Sequence, residues 1–174
     1  MTELEKYATA FHENNQCRPP YILEEAGALM KREVRASDKL QFRIFRIEPN
    51  GANVFPYFRH DHGLNSICDY FVFIETADLM YAFAVELKKK DGSPNKQLKR
   101  SEVFLNFFRE RMLLSDKLQP EKKLVVGKIG ISDKTARPVT RNNGIEFDTD
   151  RVARLYRSGA VYLDLWLAGL DRTL

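Results

Sequence analysis

The sequence predicts a single α/β domain of the α+β kind, in which helices flank a mixed central sheet. Its 174 residues correspond to one domain spanning 1–174. Apolar residues make up 44% of the chain, which is enough for a sizeable core and excludes wholesale disorder. Stretches with helical spacing alternate with stretches that have a period of two, and together these patterns indicate the mixed class.

The first third of the chain predicts two helices and a hairpin. Apolar residues recur at helical spacing over 3–14 and again over 21–34. Over 40–48 the period changes to two, which is typical of a strand. Pro49-Asn50-Gly51 then predicts a hairpin turn, because Asn-Gly tolerates the positive φ of a type I′ turn. A strand over 53–58 is expected to return from this turn.

The middle of the chain predicts a second hairpin and a long helix. Two apolar, aromatic-rich runs over 67–75 and 80–88 are separated by four residues, as in adjacent antiparallel strands. A Gly-Ser-Pro-Asn segment follows and opens a helix over 96–114, whose apolar residues have helical spacing.

The last third predicts a strand over 123–131, a short helix over 149–158 that Gly159 ends, and a final strand over 161–167. The stretch 128–157 mixes many basic and acidic residues. This pattern favours a surface loop, and a substrate-binding loop is the alternative. The predicted order of elements favours helices packed on a twisted sheet.

Charge and cysteine content limit the function classes. Lysine and arginine number 28 against 24 acidic residues, so the net charge of +4 favours an anionic partner only weakly. The two cysteines are 51 positions apart, which fits neither a disulfide framework nor a zinc knuckle. The first residues lack a signal-peptide pattern, and no run is apolar enough to span a membrane. We therefore expect a reduced, cytoplasmic protein with no membrane partner.

The second hairpin predicts an acidic pair. Glu86 and Lys88 are two residues apart on one strand, so both side chains leave the same face. With the turn centred between Ala77 and Asp78, residues whose numbers sum to 155 are opposite each other, which places Asp69 across from Glu86. Opposed residues have Cβ atoms about 4.5–5.5 Å apart. Two carboxylates at that distance repel each other unless a proton or a cation lies between them.

This trio suits metal-assisted hydrolysis of a phosphodiester. Asp69 and Glu86 offer the oxygen ligands that Mg²⁺ or Mn²⁺ prefers, and such an ion keeps waters and substrate phosphates as its other ligands. The ion polarises a phosphoryl oxygen and lowers the pKa of a bound water. Lys88 beside it can orient that water and offset charge on the phosphate.

The motif around this trio resembles that of the PD-(D/E)xK nuclease superfamily. It consists of an Asp on one strand, Glu-x-Lys on the neighbouring strand and a following helix that opens with Gln97. The resemblance implies a restriction-endonuclease-like αβββαβ core over about 21–131, with Asp69, Glu86, Lys88 and Gln97 as catalytic residues. Cys68 stands where the proline of that motif usually lies.

The resemblance also implies an acidic residue on the first core helix that completes the metal site, and Glu25 or Glu24 is available for this role. The expected cofactor is Mg²⁺ or Mn²⁺, and the expected partner is nucleic acid, DNA before RNA. A homodimer stays open. The alternative is a non-catalytic nucleic-acid-binding or protein-interaction module on the same fold, with the charged residues at a solvated strand end.

Basic residues next to the trio are candidates for phosphate contacts. Lys89 and Lys90 follow the strand directly, and Lys96 and Arg100 lie on the first turns of the following helix. Cations that neutralise phosphates release counterions and so strengthen binding to nucleic acid. A solvated loop and helix start would explain the same residues without any ligand.

Overall fold

A computed structural model describes residues 1–25, 30–47, 67–88, 95–132, 145–156 and 160–174. Over these ranges the fold is mixed α+β, with two mixed sheets and three α-helices. The turn predicted at 49–51, the strand predicted at 53–58 and the segment 59–66 lie outside the described residues. No helix in the described ranges is both long enough and apolar enough to cross a lipid bilayer.

Helices and strands are mixed along the described ranges, with five strands between the first and second helices and three between the second and third. The helices are α1 (Glu3–Thr9), α2 (Asn95–Leu113) and α3 (Leu163–Asp171). The strands are β1 (Ile22–Glu24), β2 (Lys31–Arg35), β3 (Gln41–Arg46), β4 (Tyr70–Glu75), β5 (Leu79–Lys88), β6 (Lys123–Ser132), β7 (Val152–Tyr156) and β8 (Val161–Tyr162). The predicted first helix is shorter than expected: Thr2 begins α1 with a capping box to Glu5, and a 3₁₀ turn replaces its second half.

The central sheet has five strands in the order β3-β4-β5-β6-β7. Strand β4 runs antiparallel to both β3 and β5, whereas β5, β6 and β7 are parallel to one another. Tyr70 pairs with Val85 and Phe71 with Ala84, so the predicted register with a sum of 155 is confirmed. Parallel strands need a crossover connection, and α2 supplies it between β5 and β6.

Both faces of the central sheet are buried, as expected when helices cover a sheet on each side. On one face, Phe71, Phe73 and Ala84 pack with α1 and α2. On the other face, Val72, Phe83 and Val85 pack with α3 and with the second sheet. The strands therefore read as continuous apolar runs, and a side chain's face follows from whether its number is odd or even within its strand.

The second sheet replaces a predicted helix. The prediction of a helix over 21–34 is wrong, because this stretch contains β1 and β2, which form an antiparallel pair that β8 extends in parallel. In β2, buried and exposed residues alternate, with Arg32 and Val34 turned inward. A charged residue at an inward position hides the period of two from a reading of hydropathy alone.

Two predictions near the C-terminus are also wrong. The segment 149–158 contains strand β7 instead of a helix, and it pairs in parallel with β6. The segment 161–167 contains the two-residue strand β8 and the start of α3 instead of one strand. Leu163, Trp166 and Leu170 are fully buried at helical spacing, and this pattern prevails over the apparent alternation. The stretch 128–157 is therefore not one surface loop, since β6 and β7 hold its two ends.

Gly127 on β6 leaves room for the ring of Phe83 on β5. A Cβ at position 127 would lie 2.7 Å from two ring carbons of Phe83 and 3.0 Å from Leu170 Cδ2. The ring has little freedom to move, because it packs on Trp166 at 5.5 Å between centroids. We expect Gly127→Ala to lower the free energy of unfolding by about 1–3 kcal/mol in urea titrations. Adding Phe83→Leu should recover part of that loss, and wild-type stability of the single variant would contradict this packing.

Candidate active site

Asp69, Glu86 and Lys88 lie at one end of the central sheet, on the face that α2 covers. Asp69 directly precedes β4, and the register of β4 with β5 continues to place it opposite Glu86. The backbone supports this position, since the N–H of Leu87 donates to Asp69 Oδ2 at 2.8 Å. The three side chains that the sequence predicts for the trio are thus brought to one place.

Glu86 is a buried carboxylate with little local compensation. Its exposed fraction is 0%, and neither carboxylate oxygen accepts a well-directed hydrogen bond from any residue that the structure describes. Lys88 Nζ lies 2.5 Å from Glu86 Oε1, and this close ion pair lowers the pKa of Glu86 and offsets part of its charge. Burial raises the pKa of Glu86 to about 7, and the nearby charge of Asp69 also raises it. This group therefore titrates near neutral pH.

Asp69 has a similar but weaker perturbation. Burial raises the pKa of its carboxyl, against the lowering effect of the Leu87 N–H and of the Lys88 ammonium. The charge of Glu25 also raises it. Negative charge therefore accumulates at this end of the sheet, and each carboxylate makes ionisation of the other less favourable.

Lys88 remains a cation in this setting. Burial lowers its pKa, but the Glu86 carboxylate and the charges of Asp69 and Glu25 outweigh that effect and hold the pKa above its usual value. Its side chain is 31% exposed, so the ammonium reaches the surface of the site. Lys88 can therefore stabilise a bound anion with its positive charge, and it does not act as a base at neutral pH.

Glu25 reaches the site from a strand end and not from a helix. It directly follows β1, so the prediction of an acidic residue on a first core helix is wrong for its setting. Tyr70 holds this strand end in place: its Oη donates to the carbonyl of Glu24 and accepts from the N–H of Glu24, both at 2.9 Å. Glu25 Oε2 is buried without a hydrogen bond from the described part of the chain. Sequence reasoning had no signal for the positioning role of Tyr70.

A hydrogen-bond relay ties α2 to the strand that carries Asp69. The N–H of Cys68 donates to Ser101 Oγ at 2.8 Å, and Ser101 Oγ donates to the carbonyl of Gln97 at 2.8 Å. Proline has no N–H, so a proline at position 68 could not make the first of these bonds. The relay fixes the Gln97 backbone beside the site, while the Gln97 side chain makes no hydrogen bond to Asp69 or Glu86. Burial raises the pKa of the Cys68 thiol, which agrees with an inert cysteine.

The structure describes two of the four residues that are predicted to contact phosphate. Lys89 and Lys90 lie outside the described residues. Lys96 is exposed and Arg100 is half-buried, both on the first turns of α2 at the same end of the sheet as Glu86. Neither side chain forms an ion pair with a residue in the described ranges, so their role in phosphate binding stays a prediction.

Ser132 is a further polar group at this end of the sheet. It is the partner of Lys88 in the pairing of β5 with β6, and its Oγ is buried without a hydrogen bond in the described ranges. Like Glu25 Oε2 and both oxygens of Glu86, Ser132 Oγ is a buried polar atom that has no directed hydrogen bond with a described residue. Buried polar atoms in folded proteins nearly always have a partner, so these atoms are candidates for contacts with a ligand. Only the register reveals Ser132, because a serine at a strand end carries no signal in the sequence.

The donor set at this site fits a hard divalent cation that is held by few protein ligands. Across the described ranges, no three or more His, Cys, Asp or Glu side chains are grouped so as to hold a metal ion, so Asp69, Glu86 and Glu25 do not form a three-ligand cluster. Mg²⁺ is bound by one or two carboxylates with waters and phosphates completing its shell. The pair Asp69 and Glu86, with the unpartnered oxygens of Glu86, meets that requirement.

The buried charge of Glu86 has a testable cost. Because the pKa is about 7 in the folded chain against 4.5 when exposed, stability falls as pH rises through that window, and the full cost is present above it. Glu86→Gln resembles the protonated form, so we expect it to stabilise the metal-free protein by on the order of 2–3 kcal/mol at pH 8 and by little at pH 4.5. Thermal unfolding at both pH values measures the difference.

Glu75→Gln is the matched control. The Glu75 carboxylate accepts from Lys122 Nζ at 2.8 Å and from the Leu4 N–H at 2.9 Å, and these contacts outweigh burial and hold its pKa below the usual range. A lowered pKa contributes stability above pH 4.5, so this variant should lose stability at pH 8. A loss of stability at pH 8 in the Glu86 variant as well would contradict the assignment of Glu86 as a buried charge that Lys88 offsets only in part.

The site therefore combines two opposed carboxylates, one lysine cation and unpartnered buried oxygens at the carboxyl end of the parallel strands β5 and β6. The carboxyl ends of parallel strands are where open α/β sheets bind ligands. Comparison with protein-family models, with curated proteins and with solved structures gives no match to this chain.

Proposed function

We propose that this chain is a metal-dependent nuclease that hydrolyses phosphodiester bonds of nucleic acid, with DNA preferred over RNA as the proposed substrate. The observation that carries the proposal is the fully buried Glu86 carboxylate, which faces Asp69 and has no directed hydrogen bond from the described residues. A structural ion pair would have its lone pairs satisfied, because an unsatisfied buried charge is costly. A site that binds a cation and a phosphate during its function has a reason to keep them free.

The roles of the residues follow from their charge and position. Asp69 and Glu86 would hold Mg²⁺ or Mn²⁺, which when bound polarises the phosphoryl oxygen and lowers the pKa of a water. Lys88 stays protonated and offsets the negative charge that develops on the phosphate, while its N–H groups can orient the attacking water. Gln97 lies beside the site through its backbone and is proposed to assist by orienting the phosphate.

The order of elements supports the finer fold assignment that belongs to this proposal. The succession β3–β4–β5–α2–β6 has the βββαβ order of a restriction-endonuclease-like core, with β6 parallel to β5. A helix, α1, precedes these strands, but the β1–β2 hairpin intervenes between them. The chain departs from that core in two further respects: Cys68 replaces the proline of the motif, and Glu25 is not helical.

A non-catalytic nucleic-acid-binding module is the second candidate. It is favoured by the close ion pair between Lys88 and Glu86, which offsets part of the charge of one carboxylate without a metal. Mn²⁺ distinguishes the two, because an ion that binds only the folded protein raises its stability by RT ln(1 + [Mn²⁺]/Kd). A Tm that rises with Mn²⁺ and does not rise in Asp69→Asn supports the enzyme.

The catalytic assignment predicts the effect of three single substitutions. Asp69→Asn, Glu86→Gln and Lys88→Ala should each reduce cleavage of DNA in the presence of Mg²⁺ or Mn²⁺ by at least about 100-fold, the loss that follows removal of one charge-stabilising group. Far-ultraviolet circular dichroism should show an intact fold in all three. The measurement is the rate at which a labelled DNA substrate is converted to product.

Asp78→Asn is the control for these variants. Asp78 is exposed in the tight turn between β4 and β5, at the opposite end of the same hairpin. The substitution therefore removes an acidic charge without changing the site. This variant should cleave at the wild-type rate. A wild-type rate in any of the three site variants, on a substrate that the wild-type protein cuts, would remove that residue from the catalytic assignment.

A further inference from the structure

A concave region lies beside the candidate site and on the same face of the central sheet. It is an open pocket of about 570 Å³ between α2, β6 and the segment that leads into β7. Its lining residues are Lys99, Glu102, Val103, Lys128, Thr149, Asp150 and Arg151. None of these residues takes part in the proposed hydrolysis. We refer to it as the Lys128 pocket.

The Lys128 pocket presents more positive than negative charge. Lys128 is only 2% exposed and is ion-paired with Glu102 on α2. At the rim, Lys99 Nζ lies 3.5 Å from Asp150 Oδ2, and both side chains are 63% exposed. Exposed pairs of this kind contribute little to stability, so Lys99 can turn to an incoming anion at small cost. The guanidinium of Arg151 has no ion-pair partner within the described ranges and leaves the pocket with a net positive charge.

The backbone holds Arg151 in an unusual conformation at this pocket. Its φ is 56°, in the left-handed region where a residue other than glycine costs roughly 1–2 kcal/mol. Two hydrogen bonds of 2.9 Å keep it there: the Arg151 N–H donates to the Asp148 carbonyl, and the Lys128 N–H donates to the Arg151 carbonyl. Arg151 and the buried lysine are thereby fixed to each other, so the cationic lining is preorganised.

The pocket lies within reach of the acidic pair. Lys128 is two residues before Gly130 on β6, and Gly130 is the partner of Glu86 on β5. Two residues of strand and one interstrand step place Lys128 about 8 Å from Glu86 along the sheet. Each step of roughly 3.4 Å along the helix axis also turns the backbone around that axis, so successive phosphates are farther apart than the rise and this distance corresponds to about one nucleotide.

We propose that the Lys128 pocket binds a backbone phosphate of the nucleic-acid strand, about one nucleotide from the phosphodiester at Asp69 and Glu86. This inference rests on the proposed function, because that function places the other phosphate of the strand at Asp69 and Glu86. Lys99 and Arg151 meet the phosphate at the rim, and Lys128 with its partner Glu102 forms the floor. The pocket thus directs the strand across β6 and β7, on the side of α2 away from β4.

The test removes the two rim cations and leaves the buried lysine in place, because Lys128 supports the packing of α2. Lys99→Ala is combined with Arg151→Asn, since asparagine tolerates a positive φ. Binding of a fluorescent DNA oligonucleotide is followed by anisotropy in EDTA, where no cleavage occurs. The double variant should bind at least about 10-fold more weakly, and its slope of log affinity against log salt should fall by about 0.7–0.9, the value for one lost phosphate contact.

Lys117→Ala combined with Lys123→Ala is the matched control. It removes the same charge from exposed positions at the other end of α2 and of β6. The control should keep the wild-type salt slope, and equal slopes for the two double variants would overturn the pocket as a phosphate site. If inorganic phosphate stabilises the wild type but not the rim variant, while DNA affinity is the same in both, the nucleic-acid assignment is overturned.

The same variants separate this inference from the nuclease proposal. Metal-dependent cleavage with unchanged binding in the rim variant would leave the nuclease and remove the pocket. Weaker binding in the rim variant, in a wild-type protein that cuts no nucleic acid, would keep the phosphate site and remove the nuclease.

Discussion

The pairing of β4 with β5 is the constraint on which the candidate site depends. Side chains alternate between the two faces of a strand, so a shift of one residue between these strands would move Glu86 and Lys88 to the face away from Asp69. The register is fixed because both faces of this hairpin are buried and each inward position is filled by a side chain of matching size, as where Phe73 meets Ala82. The apolar core therefore specifies the position of the charges, although it shares no chemistry with them.

The same core makes the acidic pair costly. A carboxylate with no exposed surface and no directed hydrogen bond lowers stability, and Lys88 offsets this only in part because its ammonium is partly exposed. The backbone around the pair is in contrast well bonded, through the Leu87 N–H to Asp69 and through Ser101 between Cys68 and α2. Rigid backbone and uncompensated side-chain charge together are what a preorganised ion site requires. The neighbouring Lys128 pocket has the complementary sign, so this face of the sheet offers negative charge for a metal ion and positive charge for a polyanion.

How far the sequence could predict this arrangement depended on whether the local pattern and the tertiary environment agreed. The β4–β5 hairpin, α2 and β6 were predictable because their apolar runs, period and turn residues all favour the observed elements, and Asp69 and Glu86 followed from the hairpin. The β1–β2 hairpin was not predictable because Arg32 occupies an inward position in β2. Strand β7 forms because β6 offers an unpaired edge, which no local pattern reveals. Ser132, Tyr70 and Arg151 carry no motif, and only the pairing of distant segments brings them to the two sites.

Titration of the Glu86 side chain by ¹³C NMR, with carboxyl-labelled glutamate and Glu86→Gln to assign the signal, tests whether the acidic pair binds a cation. In the absence of divalent ions we expect a pKa of about 7 for Glu86, and the addition of Mg²⁺ should lower it, because a cation at the pair favours the charged form. The same titration in Asp69→Asn should give a lower pKa without Mg²⁺ and a smaller response to it. If the pKa of Glu86 is instead near 4.5 and changes neither with Mg²⁺ nor with the charge of Asp69, the carboxylate is an ordinary ion-paired side chain and does not bind a cation.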